Sequence, residues 1–173
     1  MIHIISGKYK GRKFTEGNIP GVRPTLARVK KSVMQILEPF EGKTVLDLFS
    51  GVGTLGIEAL SRGADKVTFV EKDFRAVQYL KKNLLTICSS EQFSIIKMDV
   101  HRYLKRNRDQ FDIIIADPPY SQVDFQALLD DVKPMLNSNG IFCMEMRKTK
   151  IEGKEFRIKL YGRTQVVFWE SGS

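Results

Sequence analysis

The sequence predicts an α/β protein built on a mostly parallel, seven-stranded sheet. Three observations carry that prediction. From Lys43 onward, strand-like and helix-like stretches alternate. The segment FDIIIA (111–116) has a continuous apolar character broken only by Asp112, as strands have when helices cover both faces of a sheet. A glycine-rich loop, DLFSGVGTLG (47–56), leaves a strand and opens a helix. Repeated β–α units make a parallel sheet with right-handed crossovers. The 173 residues fit one domain, with 1–40 as a basic extension and 41–173 as the core.

The elements follow in order. IHIISGKYKGRKFTEG reads as short strands around Gly7 and Gly11, a small hairpin. After GVRPT, Thr25 can cap a helix in which Leu26, Val29, Val33, Ile36 and Leu37 form one apolar stripe. Arg28 and Lys31 lie off that stripe, and Pro39 closes the helix. TVLDLF (44–49) is a strand, LGIEALSRG (55–63) a helix ending at Gly63, and KVTFVE (66–71) a strand. FRAVQYLKKNLLTI (74–87) is a helix, FSIIKM (93–98) a strand and VHRYLKR (100–106) a short helix. After strand 111–116, the segment 125–136 reads as a helix and 140–146 as a strand. FRIKLYG and RTQVVFWE form a final hairpin that brings an antiparallel strand into the sheet.

Charge is concentrated. The net charge is +8, and residues 1–31 hold eight Lys and Arg against one Glu, leaving 20 against 19 in the rest. Such an arm suits a polyanion, most simply nucleic acid, or serves as a solvated tail. Arg12, Lys13, Arg23, Arg28 and Lys31 are the candidate phosphate contacts. The two cysteines, Cys88 and Cys143, lack metal-ligand spacing, which fits a reduced cytoplasm and no metal. No apolar run reaches the ~20 residues of a membrane helix. His3 and His101 have no metal-site pattern, Trp169 reads as core, and HRYLKRNR (101–108) reads as a solvated face.

In parallel sheets, ligands bind outside the carboxyl ends of the strands. Gly51, Gly53 and Gly56 sit at such an end, and Glu71 follows Gly51 by twenty residues, the spacing of a ribose-binding acid. A dinucleotide or S-adenosylmethionine (SAM) fits this frame. Asp47, just before the loop, suits a cation and repels a pyrophosphate, which favours SAM. Phe49 lies in the same loop. Asp99, after the third strand, can accept from an adenine amino group or cap the next helix.

IIIADPPYSQ (113–122) ends its strand with an acid and two prolines, and proline cannot continue a central strand. Asp117-Pro118-Pro119-Tyr120 resembles the (D/N)PP(Y/F/W) motif of SAM-dependent methyltransferases acting on exocyclic amines. With ISGKYKGRKF, VRPT, DLFSGVGTLGIEALSRGA and FVEKD, the whole chain resembles the RsmD family, with Ser50 and Val52 where that family usually has alanine and serine, and Lys30-Lys31 where it often has Arg-Glu. The resemblance implies a Rossmann-like class I SAM-dependent methyltransferase that methylates a guanine N2 in bacterial 16S ribosomal RNA. Its partner would be ribosomal RNA or the assembling small subunit, and a monomer is the default. Asp117 and the Pro118 carbonyl would hold the amine, with Pro119 stiffening the turn and Tyr120 stacking on an extruded base. An adenine-N6 methyltransferase needs the same amine clamp, and an inactive nucleic-acid-binding relic of the fold is the reading from outside enzymology.

Overall fold

The computed structural model describes residues 1–19, 27–119 and 122–172. The main sheet has seven strands: β3 (Thr44–Leu48), β4 (Lys66–Glu71), β5 (Phe93–Lys97), β6 (Phe111–Ala116), β7 (Leu136–Arg147), β8 (Phe156–Tyr161) and β9 (Thr164–Glu170). Their spatial order is β5-β4-β3-β6-β7-β9-β8. Strand β9 runs antiparallel to both its neighbours, and every other pairing is parallel. The strand order reverses at β3, so β3 and β6 flank the switch point where ligands bind.

Five helices, α1 (Ala27–Leu37), α2 (Thr54–Ser61), α3 (Phe74–Ile87), α4 (Val100–Arg106) and α5 (Phe125–Val132), cover the sheet. Asp73, Asp99 and Asp124 cap α3, α4 and α5, each side chain accepting the backbone N–H three residues on, at 2.8, 3.1 and 2.8 Å. Alternation along each strand divides the core. Val45, Ile113, Ile115, Cys143 and Val166 face α1, α2 and α3, whereas Leu46, Leu48, Ile114, Ala116 and Met144 face α4 and α5.

The expected boundaries on either side of Pro134 move. The helix expected over 125–136 stops at Val132, and Lys133–Met135 form a 3-10 turn. Pro134 has no N–H to donate, so the α ladder cannot run through it. Strand β7 then begins at Leu136 rather than at residue 140, because Leu136 pairs with Phe111 ahead of a register irregularity.

The basic extension is fastened to the core. Strands β1 (Ile2–His3) and β2 (Lys13–Phe14) pair antiparallel, as the sequence predicts. The turn between them lies across the end of α2. Lys8 N–H donates to the Ser61 carbonyl (2.7 Å), and Tyr9 N–H to Ser61 Oγ (3.0 Å). Gly7 has φ +83°, and a Cβ there would lie 1.9 Å from the Ser61 carbonyl oxygen, so only glycine permits this approach. Helix α1 is tied to the C-terminal hairpin by the Tyr161 hydroxyl, which donates to Ser32 Oγ. Among the described residues, no helix is long and apolar enough to cross a membrane.

Candidate active site at the carboxyl edge of the sheet

Three acidic side chains converge where β3, β4 and β6 end. Asp47 is almost fully buried, at 1% exposure, and its Oδ2 accepts from Gly56 N–H at 2.9 Å. Burial pushes its carboxyl up to about 8 against the pull of the Gly56 bond, and the nearby charges of Asp117 and Glu71 add to the rise. Glu71 at the end of β4 accepts from Gly51 N–H and from Asp73 N–H, both at 2.8 Å. Each carboxylate oxygen has two lone pairs, so these bonds orient Glu71 and leave acceptor capacity for hydroxyls. Asp117 follows the last residue of β6, and Ala116 pairs directly with Leu48 of β3. That register sets the Asp-Pro-Pro segment beside the glycine loop, with Asp117 half-buried, Pro118 buried and Pro119 exposed.

The three loop glycines do different work. Gly51 has φ +54°, and a Cβ there would meet nothing within 4 Å, so this glycine keeps the backbone open to a ligand. A Cβ on Gly53 would lie 2.5 Å from Leu80 Cδ1. One on Gly56 would lie 2.2 Å from the Phe69 ring and 2.8 Å from Asp47 Oδ2. These two glycines are required for packing of the loop against α3 and β4. Phe49 takes φ +57°, the left-handed region that a non-glycine residue occupies at a cost. The strained residue thus stands between β3 and the open glycine.

Asp99 caps α4 and is exposed beyond β5, so the capping alternative is realised in the structure. Tyr120 and Arg23, like Thr25 and Leu26, lie outside the described residues. Lys13, Arg28 and Lys31 are exposed. Arg12 is exposed too, but it lies over the Tyr9 ring, 5.1 Å from the centroid, and donates to the Ile87 carbonyl at 3.2 Å. Trp169 is half-buried in β9 under the Lys133 ammonium (5.2 Å), and Arg102, Lys105, Arg106 and Arg108 are solvated.

Sequence reasoning missed the centre that holds the arm in place. Glu58 on α2 is 1% exposed and accepts from Ile5 N–H (3.0 Å), Ser6 N–H (2.9 Å), Arg62 Nε (3.2 Å) and Lys30 Nζ (3.3 Å). Lys30, counted with the basic arm on charge, is therefore buried and does not belong to its outer surface. Burial lowers the Lys30 ammonium, and the Glu58 charge opposes that shift. The one legible signal was Glu58 and Arg62 at i,i+4 on a helix that is otherwise mostly apolar.

The strand order, the switch point at β3 and the glycine loop ending in α2 define the class I SAM-dependent methyltransferase fold. Residues 2–170 match the family model described as "Conserved hypothetical protein 95", and the chain belongs to this family, the RsmD family. The chain is 45% identical to ribosomal RNA small subunit methyltransferase D of Haemophilus influenzae over 69% of its own length. It spans 64% of that relative's length. The solved structure of yhhF from Escherichia coli superposes with a TM-score of 0.85 at 27% identity, covering 98% of this chain and 97% of that one. A T. thermophilus 16S rRNA N2 methyltransferase (RsmC), solved with AdoMet and guanosine, shares the fold at a TM-score of 0.68 and 24% identity, covering 89% of this chain and 44% of that one. AdoMet (SAM), the cofactor the sequence predicts for this chain, is the one bound in that RsmC structure.

Proposed function

We propose that this protein methylates the exocyclic N2 amine of a guanine in bacterial small-subunit ribosomal RNA, with SAM as methyl donor. The observation that carries the reading is the register of β6 on β3, which sets Asp117 and Pro118 beside the glycine loop and Asp47. The residues suit a cationic nucleoside cofactor. Glu71, held by the Gly51 N–H, keeps acceptor capacity for hydroxyls, Gly51 leaves open space, and the Glu71 and Asp117 carboxylates would repel a pyrophosphate. SAM supplies an electrophilic methyl group on a sulfonium.

The protein's own task is to prepare the amine. An exocyclic guanine nitrogen is a weak nucleophile because its lone pair is delocalised into the ring. The Asp117 carboxylate and the Pro118 carbonyl are two acceptors for its two N–H groups. Holding both favours a tetrahedral nitrogen, aims the lone pair and stabilises the positive charge that develops there. Asp117 is then placed to take the departing proton. Pro119 stiffens the turn, and Tyr120 supplies an aromatic face for an extruded base. The basic residues Arg12, Lys13, Arg23, Arg28 and Lys31 are assigned to RNA phosphates.

Digestion of small-subunit RNA labelled with methyl-tritiated SAM tests the reading. Label in N2-methylguanosine is expected. Label in N6-methyladenosine would establish the amine clamp with the other base, and no label on RNA or subunits would support a relic fold. Running free RNA and assembled subunits side by side identifies the substrate form.

A further inference from the structure

The amine clamp accounts for a nitrogen, not for a base, because adenine and guanine both carry an exocyclic amine. A second acidic side chain stands next to the clamp. Glu145 lies on β7, one position beyond the Ala116–Met144 pair, so it stands beside Asp117 on the neighbouring strand. Both charges, with that of Asp47, reach Cys143 and help burial to push its thiol up, which places all three acids around one point of the sheet. Glu145 is half-buried and lines a narrow crevice, room for little more than a water, between α1 and the ends of β6 and β7. The walls of that crevice, including Val29, Val33, Ala116 and Cys143, are mostly apolar. Its other charged lining residue, Lys30, directs its ammonium to Glu58 (3.3 Å) and to the His3 carbonyl (2.9 Å).

We propose that Glu145 is the specificity residue for the base, accepting the N1–H of the target guanine while Asp117 and Pro118 hold its N2 amine. This rests on the guanine-N2 reading above. Guanine carries N1–H next to its amine on one edge, so two adjacent carboxylates match two adjacent donors. Adenine presents a bare N1 lone pair beside its amine, and Glu145 would face it acceptor to acceptor. An acceptor set against a lone pair is what makes a polar site reject an analogue.

The test separates N1–H from the amine. Guanosine and 2-aminopurine riboside both carry the 2-amine, but only guanosine has N1–H. Each is used as a competitor against small-subunit RNA and methyl-tritiated SAM, with the wild-type chain, Glu145→Gln and Glu145→Ala. For wild type, guanosine should inhibit at about 10- to 100-fold lower concentration than 2-aminopurine riboside, the range of one charge-assisted hydrogen bond. In both variants that gap should close to within about 3-fold, since a neutral or absent partner no longer selects for N1–H. SAM affinity measured by calorimetry should be unchanged, which shows that the variants are folded. A gap that persists in both variants overturns the proposal and leaves the guanine-N2 reading intact. Wild-type label on adenine, with guanine unlabelled, overturns both.

Discussion

Replacing Glu58 by Gln should unfasten the N-terminal arm and destabilise the whole chain. The carboxylate is 1% exposed and takes four donors, two from the Ile5 and Ser6 backbone and two from the Lys30 and Arg62 side chains. Those two cations have side-chain exposures of only 2% and 5%, so water cannot take over for the lost charge. Glutamine keeps the volume but turns an NH2 group towards a cluster of donors. Removing one partner of a buried ion pair costs about 3–5 kcal/mol. For a chain of this size that lowers Tm by roughly 10 °C. Urea unfolding gives the free energy directly, and limited proteolysis between residues 5 and 13 reports release of the arm. Adding Lys30→Met removes one stranded cation, so the double variant should be more stable than the sum of the single effects implies. A Glu58→Gln loss below about 1 kcal/mol, or additive behaviour in the double variant, would refute the view that this buried centre holds the arm.

Further predictions follow from the site and the arm. The Asp47 carboxyl keeps its proton to about 8 in the folded chain, whereas the unfolded chain ionises it in the ordinary carboxylate range. The unfolded state therefore binds fewer protons in between, so this group's contribution to stability falls as pH rises and levels off above about 8. Asp47→Asn removes the dependence; the wild type should lose about 1 kcal/mol per pH unit relative to the variant between pH 5 and 7, read by urea titrations at each pH. Lys13→Ala, Arg28→Ala and Lys31→Ala should each lower the salt slope of RNA binding by about one unit, while a change at buried Lys30 should act on stability first.

Much of this fold was legible because its signals are local. Asp99 announces a helix start, and the apolar run of 113–116 announces a strand covered on both faces. The site was legible for the same reason, since the glycine loop and Asp-Pro-Pro each close a strand at one sheet edge. What stayed hidden depends on contacts between distant segments. Lys30 and Glu58 are 28 positions apart, and Glu58 meets Ile5 across 53, so charge counting assigned Lys30 to a surface it never reaches. The packing duties of Gly53 and Gly56 were equally invisible, because Leu80 and Phe69 reach them only in the folded chain. Glu145 gave no motif at all; only the pairing of β6 with β7 sets it beside Asp117.

An Asp117 that holds the substrate amine, and not the cofactor, separates turnover from SAM binding. The direct measurement compares Asp117→Ala with wild type, using calorimetry for SAM binding and a methyl-transfer assay on small-subunit RNA for turnover. SAM affinity should stay within about 3-fold of wild type while turnover falls by about 100-fold or more, the scale of a lost charge-stabilising group. Undiminished methylation, or a loss of turnover matched by an equal loss of SAM affinity, would contradict that role of Asp117.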